Sequence, residues 1–150
     1  MATASQSLII AAPVAQCFAV ITDFANYPKF LPEISATTVR TLDADENTLE
    51  VDITAQIVMA LKYTIHVECE APHHVAWRMI RGNVMKINAG SWTLTAKGKS
   101  THAQYDIEVT LGALVPQAIT KVLIETTLPS TLNHFKQRIE SLTRKTKKSQ

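Results

Sequence analysis

The sequence predicts an α+β domain in which a curved antiparallel sheet of six to seven strands wraps around a long C-terminal helix, with two short helices after the first strand. Three observations carry this. Apolar and polar residues alternate within each of the strand-like segments between Leu49 and Leu111, a helical period takes over from Pro116 onward, and between Pro13 and Pro32 the pattern is helical but cut short by prolines.

Ser5 to Ala11 reads as a first strand, and Ala12-Pro13 starts a helix, since proline suits a first helical position. Val14, Cys17, Phe18 and Ile21 give the helix Val14 to Thr22 one apolar stripe. Asp23-Phe24-Ala25-Asn26 carries turn chemistry, and Pro28 and Pro32 restrict a second short helix. Strands follow at Ser35 to Leu42 and Leu49 to Ile57, joined through Asp43-Ala44-Asp45-Glu46-Asn47. The alternation of Leu49, Val51, Ile53, Ala55 and Ile57 continues in phase through Leu61, Tyr63, Ile65, Val67 and Cys69. One strand over that span would run ~70 Å, too long for a domain of this size, so the chain must fold back near Val58-Met59-Ala60.

A further strand, His74 to Arg81, places Val75, Trp77 and Met79 inward and ends at Gly82-Asn83. In the next, Met85, Ile87 and Ala89 are apolar at odd positions while Trp92, Leu94 and Ala96 are apolar at even ones, which predicts a β-bulge around Gly90 and a sharp bend. The last strand holds Ala103, Tyr105, Ile107, Val109 and Leu111 inward. The helix after Pro116 shows Ile119, Val122, Leu123, Leu132, Phe135, Ile139 and Leu142, and Pro129 should bend it near Thr126 to Leu128.

The chain has 150 residues, 46% of them apolar, which suits one core and one domain, placed at 1–143 with a basic, disordered tail at 144–150. Its 15 basic and 13 acidic side chains give no electrostatic reason to expect DNA as a partner. From Lys136 onward, six basic residues face the single acid Glu140. Cys17 and Cys69 lie far apart with no zinc-type spacing, so they are expected as reduced core thiols. His73-His74 alternate faces and make a poor metal pair, and the sequence calls for no metal or cofactor. No apolar run reaches the ~20 residues of a membrane span, and residues 1–13 lack the pattern of a signal peptide, which places the protein in the cytoplasm.

Four stretches carry a family resemblance: Ala12-Pro13-Val14; Thr22-Asp23-Phe24 with Tyr27-Pro28-Lys29-Phe30-Leu31-Pro32; Gly90-Ser91-Trp92-Thr93-Leu94; and Thr127-Leu128-Pro129 leading into Phe135-Lys136. In this order they resemble the START-like, or SRPBCC, superfamily of helix-grip folds, most closely the polyketide cyclase/dehydrase branch that includes coenzyme Q-binding proteins. The resemblance implies a cavity between bent sheet and C-terminal helix that holds apolar ligands.

On that layout the ligand-facing residues are Ile53, Ala55, Ile57, Tyr63, Ile65, Trp77, Met79, Trp92, Tyr105 and Ile107 from the sheet, and Ile119, Val122, Leu123 and Thr126 from the helix. Phe24, Tyr27, Phe30 and Leu31 would frame the entrance. Asp52, Glu68, Arg78, Asp106 and Glu108 fall on the outward phase, so no acid-base pair is aimed inward and no catalytic residue is assigned. The reading favours a carrier or chaperone of a lipid, isoprenoid or quinone-like molecule. A cyclase or dehydratase using Tyr63 or Tyr105 is the enzyme alternative, and a ribosome- or protein-interaction module the third. Val58 to Leu61 and the basic tail together suggest peripheral contact with an anionic membrane.

Overall fold

The computed structural model describes residues 2–43, 47–57 and 59–148. Ala44, Asp45 and Glu46 of the expected turn, Val58 of the expected hairpin tip, and Ser149 and Gln150 of the tail lie outside the described residues.

Strand β1 (Ala2–Ile10) leads into helix α1 (Val14–Ile21), then a 3-10 turn (Phe24–Asn26) and the one-turn helix α2 (Tyr27–Phe30). Pro13 is extended, with φ −66° and ψ 154°, and its carbonyl accepts from the Cys17 amide at 3.1 Å, so the proline ends the strand and opens the helix together. Six strands follow: β2 (Ile34–Thr41), β3 (Thr48–Ile57), β4 (Met59–Glu70), β5 (His74–Gly82), β6 (Met85–Lys97) and β7 (Ser100–Leu111). They form one seven-stranded antiparallel sheet in the order β1-β7-β6-β5-β4-β3-β2. The expected fold-back is present, with Ile57 paired to Met59.

The alternation determines the faces. Leu49, Val51, Ile53 and Ala55 are buried on β3, while Arg40, Glu50, Asp52 and Arg81 build an ion-pair cluster on the other face of the sheet. The register slip in β6 differs from expectation: it falls between Met85 and Ile87 rather than around Gly90. Asn88 therefore turns inward and is buried, and Ile87 turns out. Just there β5 and β6 part company, since their pairing ends at Arg78 with Ala89. A bulge next to the end of a ladder bends the sheet with little loss of hydrogen bonding. Gly90 is needed for close approach: an added Cβ would lie 2.4 Å from the Asp106 carbonyl oxygen and 2.7 Å from the Trp77 ring.

After β7 come α3 (Gln117–Val122), a π-helical segment (Leu123–Thr127) and α4 (Leu128–Lys148). The disturbance expected from Pro129 is this π segment. Proline cannot donate to the carbonyl of Glu125 and crowds it, and the widened turn relieves the clash. Helix α4 buries Leu128, Leu132, Phe135 and Ile139, and its backbone stays helical through the basic stretch to Lys148. Lys136 donates to the Ile9 carbonyl at 2.8 Å, and the Ala11 amide donates to Glu140 at 2.8 Å, pinning α4 to the corner between β1 and α1. Cys17 is buried, Cys69 half-buried, and both are free thiols. Among the described residues no helix is long and apolar enough to cross a membrane.

Candidate functional site

Between the concave sheet face and the helical layer lies a cavity of about 140 Å³. Of the expected sheet residues, Ile53, Ile57, Tyr63, Ile65, Trp77, Trp92, Tyr105 and Ile107 line it. Ala55 and Met79 do not. Ala55 is buried in a small cluster with Leu61, Met85 and Val109, which reach the cavity where its shorter side chain does not, and half-buried Met79 packs against this cluster and the main core.

On the helical side Leu123 lines the cavity, whereas Ile119, Val122 and Thr126 do not. Their assignment assumed an uninterrupted 3.6-residue period. The π segment adds residues to one turn and rotates the faces, so Leu123, Ile124, Thr127, Leu128, Thr131 and Phe135 look inward, and Val122 is left 40% exposed.

Phe24, Tyr27 and Leu31 also line the cavity, but they close it rather than frame an opening. All three are buried, and the Tyr27 hydroxyl donates to the Ile21 carbonyl. Phe30 stands behind them, edge-on to Phe135 at 5.3 Å between ring centres, with the Arg138 guanidinium 5.5 Å above its ring. Phe135 is the hub: Tyr27 lies at 5.2 Å and Trp92 at 5.4 Å. In α3 and the π segment, by contrast, no residue is buried.

The polar groups in this apolar lining are few. Trp77 donates its indole N–H to Asn88 Oδ1 at 2.9 Å. Asn88 could not be read from the sequence, because the odd-numbered apolar residues around it put it on the outward phase. Thr131 Oγ1 lies 2.5 Å from Glu33 Oε1 and 3.0 Å from the Thr127 carbonyl. Glu33 is the one charged residue in the lining. It sits between Pro32 and β2, where no periodicity in the sequence assigns a face. Tyr63 and Tyr105 make no side-chain hydrogen bond among the described residues. Burial pushes the Tyr63 phenol up to about 12, with the charge of Glu33 adding to the shift, and burial holds Tyr105 higher still. Both are neutral hydrogen-bond donors at physiological pH. Among the described residues no group of histidine, cysteine or acidic side chains could hold a metal ion.

The family model described as polyketide cyclase / dehydrase and lipid transport matches residues 10–136. The chain belongs to that family. Its structural neighbours are START-like helix-grip folds. A START superfamily protein from Mycobacterium smegmatis superposes with a TM-score of 0.78 at 19% identity, over 95% of this chain and 97% of that one. An aromatase/cyclase from a Streptomyces species gives 0.81 at 13% identity over 93% of each chain. A protein from Thermus thermophilus gives 0.82 at 13% identity over 95% of this chain and 99% of its own. These matches do not single out the coenzyme Q-binding branch. A search of curated proteins by sequence gives no match.

Proposed function

We propose that this polyketide cyclase/dehydrase family member is a cytoplasmic carrier or chaperone that encloses a hydrophobic molecule, of lipid, isoprenoid or quinone-like character, between sheet and helix. The observation that carries the reading is the cavity itself, about 140 Å³ of space with aliphatic and aromatic walls and the hydroxyl-bearing Tyr63 and Tyr105 among its lining residues. An apolar cavity of ~150 Å³ takes up a benzene-sized molecule, so the volume here fits one ring or a short chain. A larger ligand requires the roof of α3 and the π segment to move outward, and the shallow burial of that roof makes its displacement inexpensive. Native mass spectrometry of the protein purified from its own host tests the proposal. A copurifying apolar molecule is expected, and a protein that is ligand-free and takes up no hydrophobic probe in vitro would overturn it.

The cyclase reading keeps one specific support, the pair of cavity tyrosines. Held neutral by burial, they suit donation of a proton or hydrogen bond to a carbonyl rather than its abstraction. Turnover of a polyketide substrate that falls at least tenfold in Tyr63→Phe or Tyr105→Phe would favour the enzyme.

Membrane contact, if made during ligand transfer, falls to the end of the sheet where β3 meets β4. Leu114, 100% exposed, follows β7 at that same end. The basic stretch of α4 leaves from the opposite end, beside Ile9 and Ala11. One flat bilayer therefore cannot engage the tip and the tail together, as the sequence alone had suggested. Flotation on vesicles rich in phosphatidylserine should be unchanged by removal of residues 144–150 and reduced by Leu114→Asp. The reverse pattern would assign the contact to the tail.

A further inference from the structure

The charge inventory of the cavity restricts its occupant. Every residue of the lining is uncharged except Glu33, and no lysine, arginine or histidine contributes to it. A carboxylate or phosphate carried into this space would leave water for an apolar environment that offers no cation and holds one negative charge already. A neutral donor meets the opposite situation. An ionised carboxylate accepts at about four lone-pair sites, and among the described residues the Glu33 carboxylate has one hydrogen-bond partner, the Thr131 hydroxyl. That hydroxyl has a single hydrogen and sits between two acceptors, Glu33 and the Thr127 carbonyl, so it cannot satisfy Glu33 fully.

From this we infer that the cavity selects a neutral ligand bearing a hydrogen-bond donor, an alcohol or phenol, whose donor is taken by Glu33, and that it rejects anionic ligands of the same shape. The inference rests on the carrier reading above and names the ligand class for that site. It separates fatty alcohols and phenols, which the site accepts, from fatty acids and phospholipid head groups, which it excludes. Tyr63 adds to the selection. It lines the same cavity as Glu33, and its hydroxyl serves as a donor to the oxygen of the bound alcohol.

Calorimetric titration of the full chain with three single-ring probes of matched size tests this at neutral pH: para-ethylphenol, ethylbenzene and para-ethylbenzoate. The phenol is expected to bind about tenfold more tightly than ethylbenzene, the size of effect a charge-assisted hydrogen bond supplies, and the benzoate at least tenfold more weakly than ethylbenzene. Glu33→Gln should erase most of the phenol's advantage and improve benzoate binding about tenfold. Thr131→Val, which keeps the carboxylate and removes its protein donor, should retain the order phenol, ethylbenzene, benzoate. Benzoate binding as tightly as the phenol, or an order unaltered by Glu33→Gln, overturns the inference and leaves the carrier reading standing. Failure of all three probes to bind overturns both.

Discussion

The two ends of the helical layer are built on opposite terms. At one, Phe135 gathers Tyr27, Phe30 and Trp92 within 5.4 Å, Leu132 and Ile139 are fully buried, and Lys136 and Glu140 tie the helix to the β1–α1 corner. At the other, α3 and the π segment bury no residue completely, Val122 is 40% exposed, and the helix widens into a π turn ahead of Pro129. The same helical layer thus serves as anchor and as cover. Burial is concentrated at the aromatic end, and on the proposed reading the roof, where few contacts must be broken to move, is the part that yields to a ligand.

Phe135→Ala should bring the largest loss, about 3–5 kcal/mol in urea denaturation, because it removes the ring that three other rings contact. A loss below about 1 kcal/mol would dissolve the contrast between the two ends. On the floor shared by both, Gly90→Ala should cost about 1–3 kcal/mol and shift the tryptophan emission, since the new methyl meets the Asp106 carbonyl and the Trp77 ring. At the roof, Leu123→Ala should cost about 1 kcal/mol or less, because Leu123 is only partly buried. Amides from 117 to 127 should exchange faster than those around Phe135 in both parent and variant, and equal protection would make the roof a second anchor.

The smallest effect belongs to the outer face, which touches neither end. Arg40 binds both oxygens of Asp52, Thr64 donates to it at 2.6 Å, and together they hold its carboxyl well below the usual carboxylate range. The folded pKa is depressed, so the stabilisation is complete above the unfolded value of about 4 and is lost as pH falls below it. The carboxylate is 44% exposed, which screens the interaction and keeps the effect small. Arg40→Met should flatten the acid branch of a stability profile measured from about pH 5 downward, with the neutral-pH cavity properties unchanged. A profile as steep as the parent's would remove Arg40 from the account.

The sheet was legible in the sequence almost residue by residue. A strand turns its side chains over every second residue whatever surrounds it, so the alternation of Leu49 to Cys69 and of Ala103 to Leu111 assigned the concave face before any strand was paired. Proline chemistry is equally local: Pro13 marked a helix start, and Pro129, expected to bend the helix near Thr126 to Leu128, is preceded by a π segment at Leu123–Thr127. Hence Tyr63, Trp77, Trp92 and Tyr105 could be put in one cavity from the pattern alone.

What tertiary structure decided were the irregularities and the separations. The bulge at Met85 to Ile87 rather than at Gly90 brought Asn88 inward, and the π segment replaced Val122 and Thr126 by Ile124 and Thr127. Periodicity reports a phase but not where the phase slips, because a slip is chosen by packing across the sheet. Glu33 and Thr131 lie 98 positions apart and meet only because α4 crosses the start of β2. So the sequence by itself determined a sheet with an apolar inner face under a proline-broken helix. Which end of that helix is anchored, and which single charge faces the cavity, depended on contacts between distant segments that no local pattern encodes.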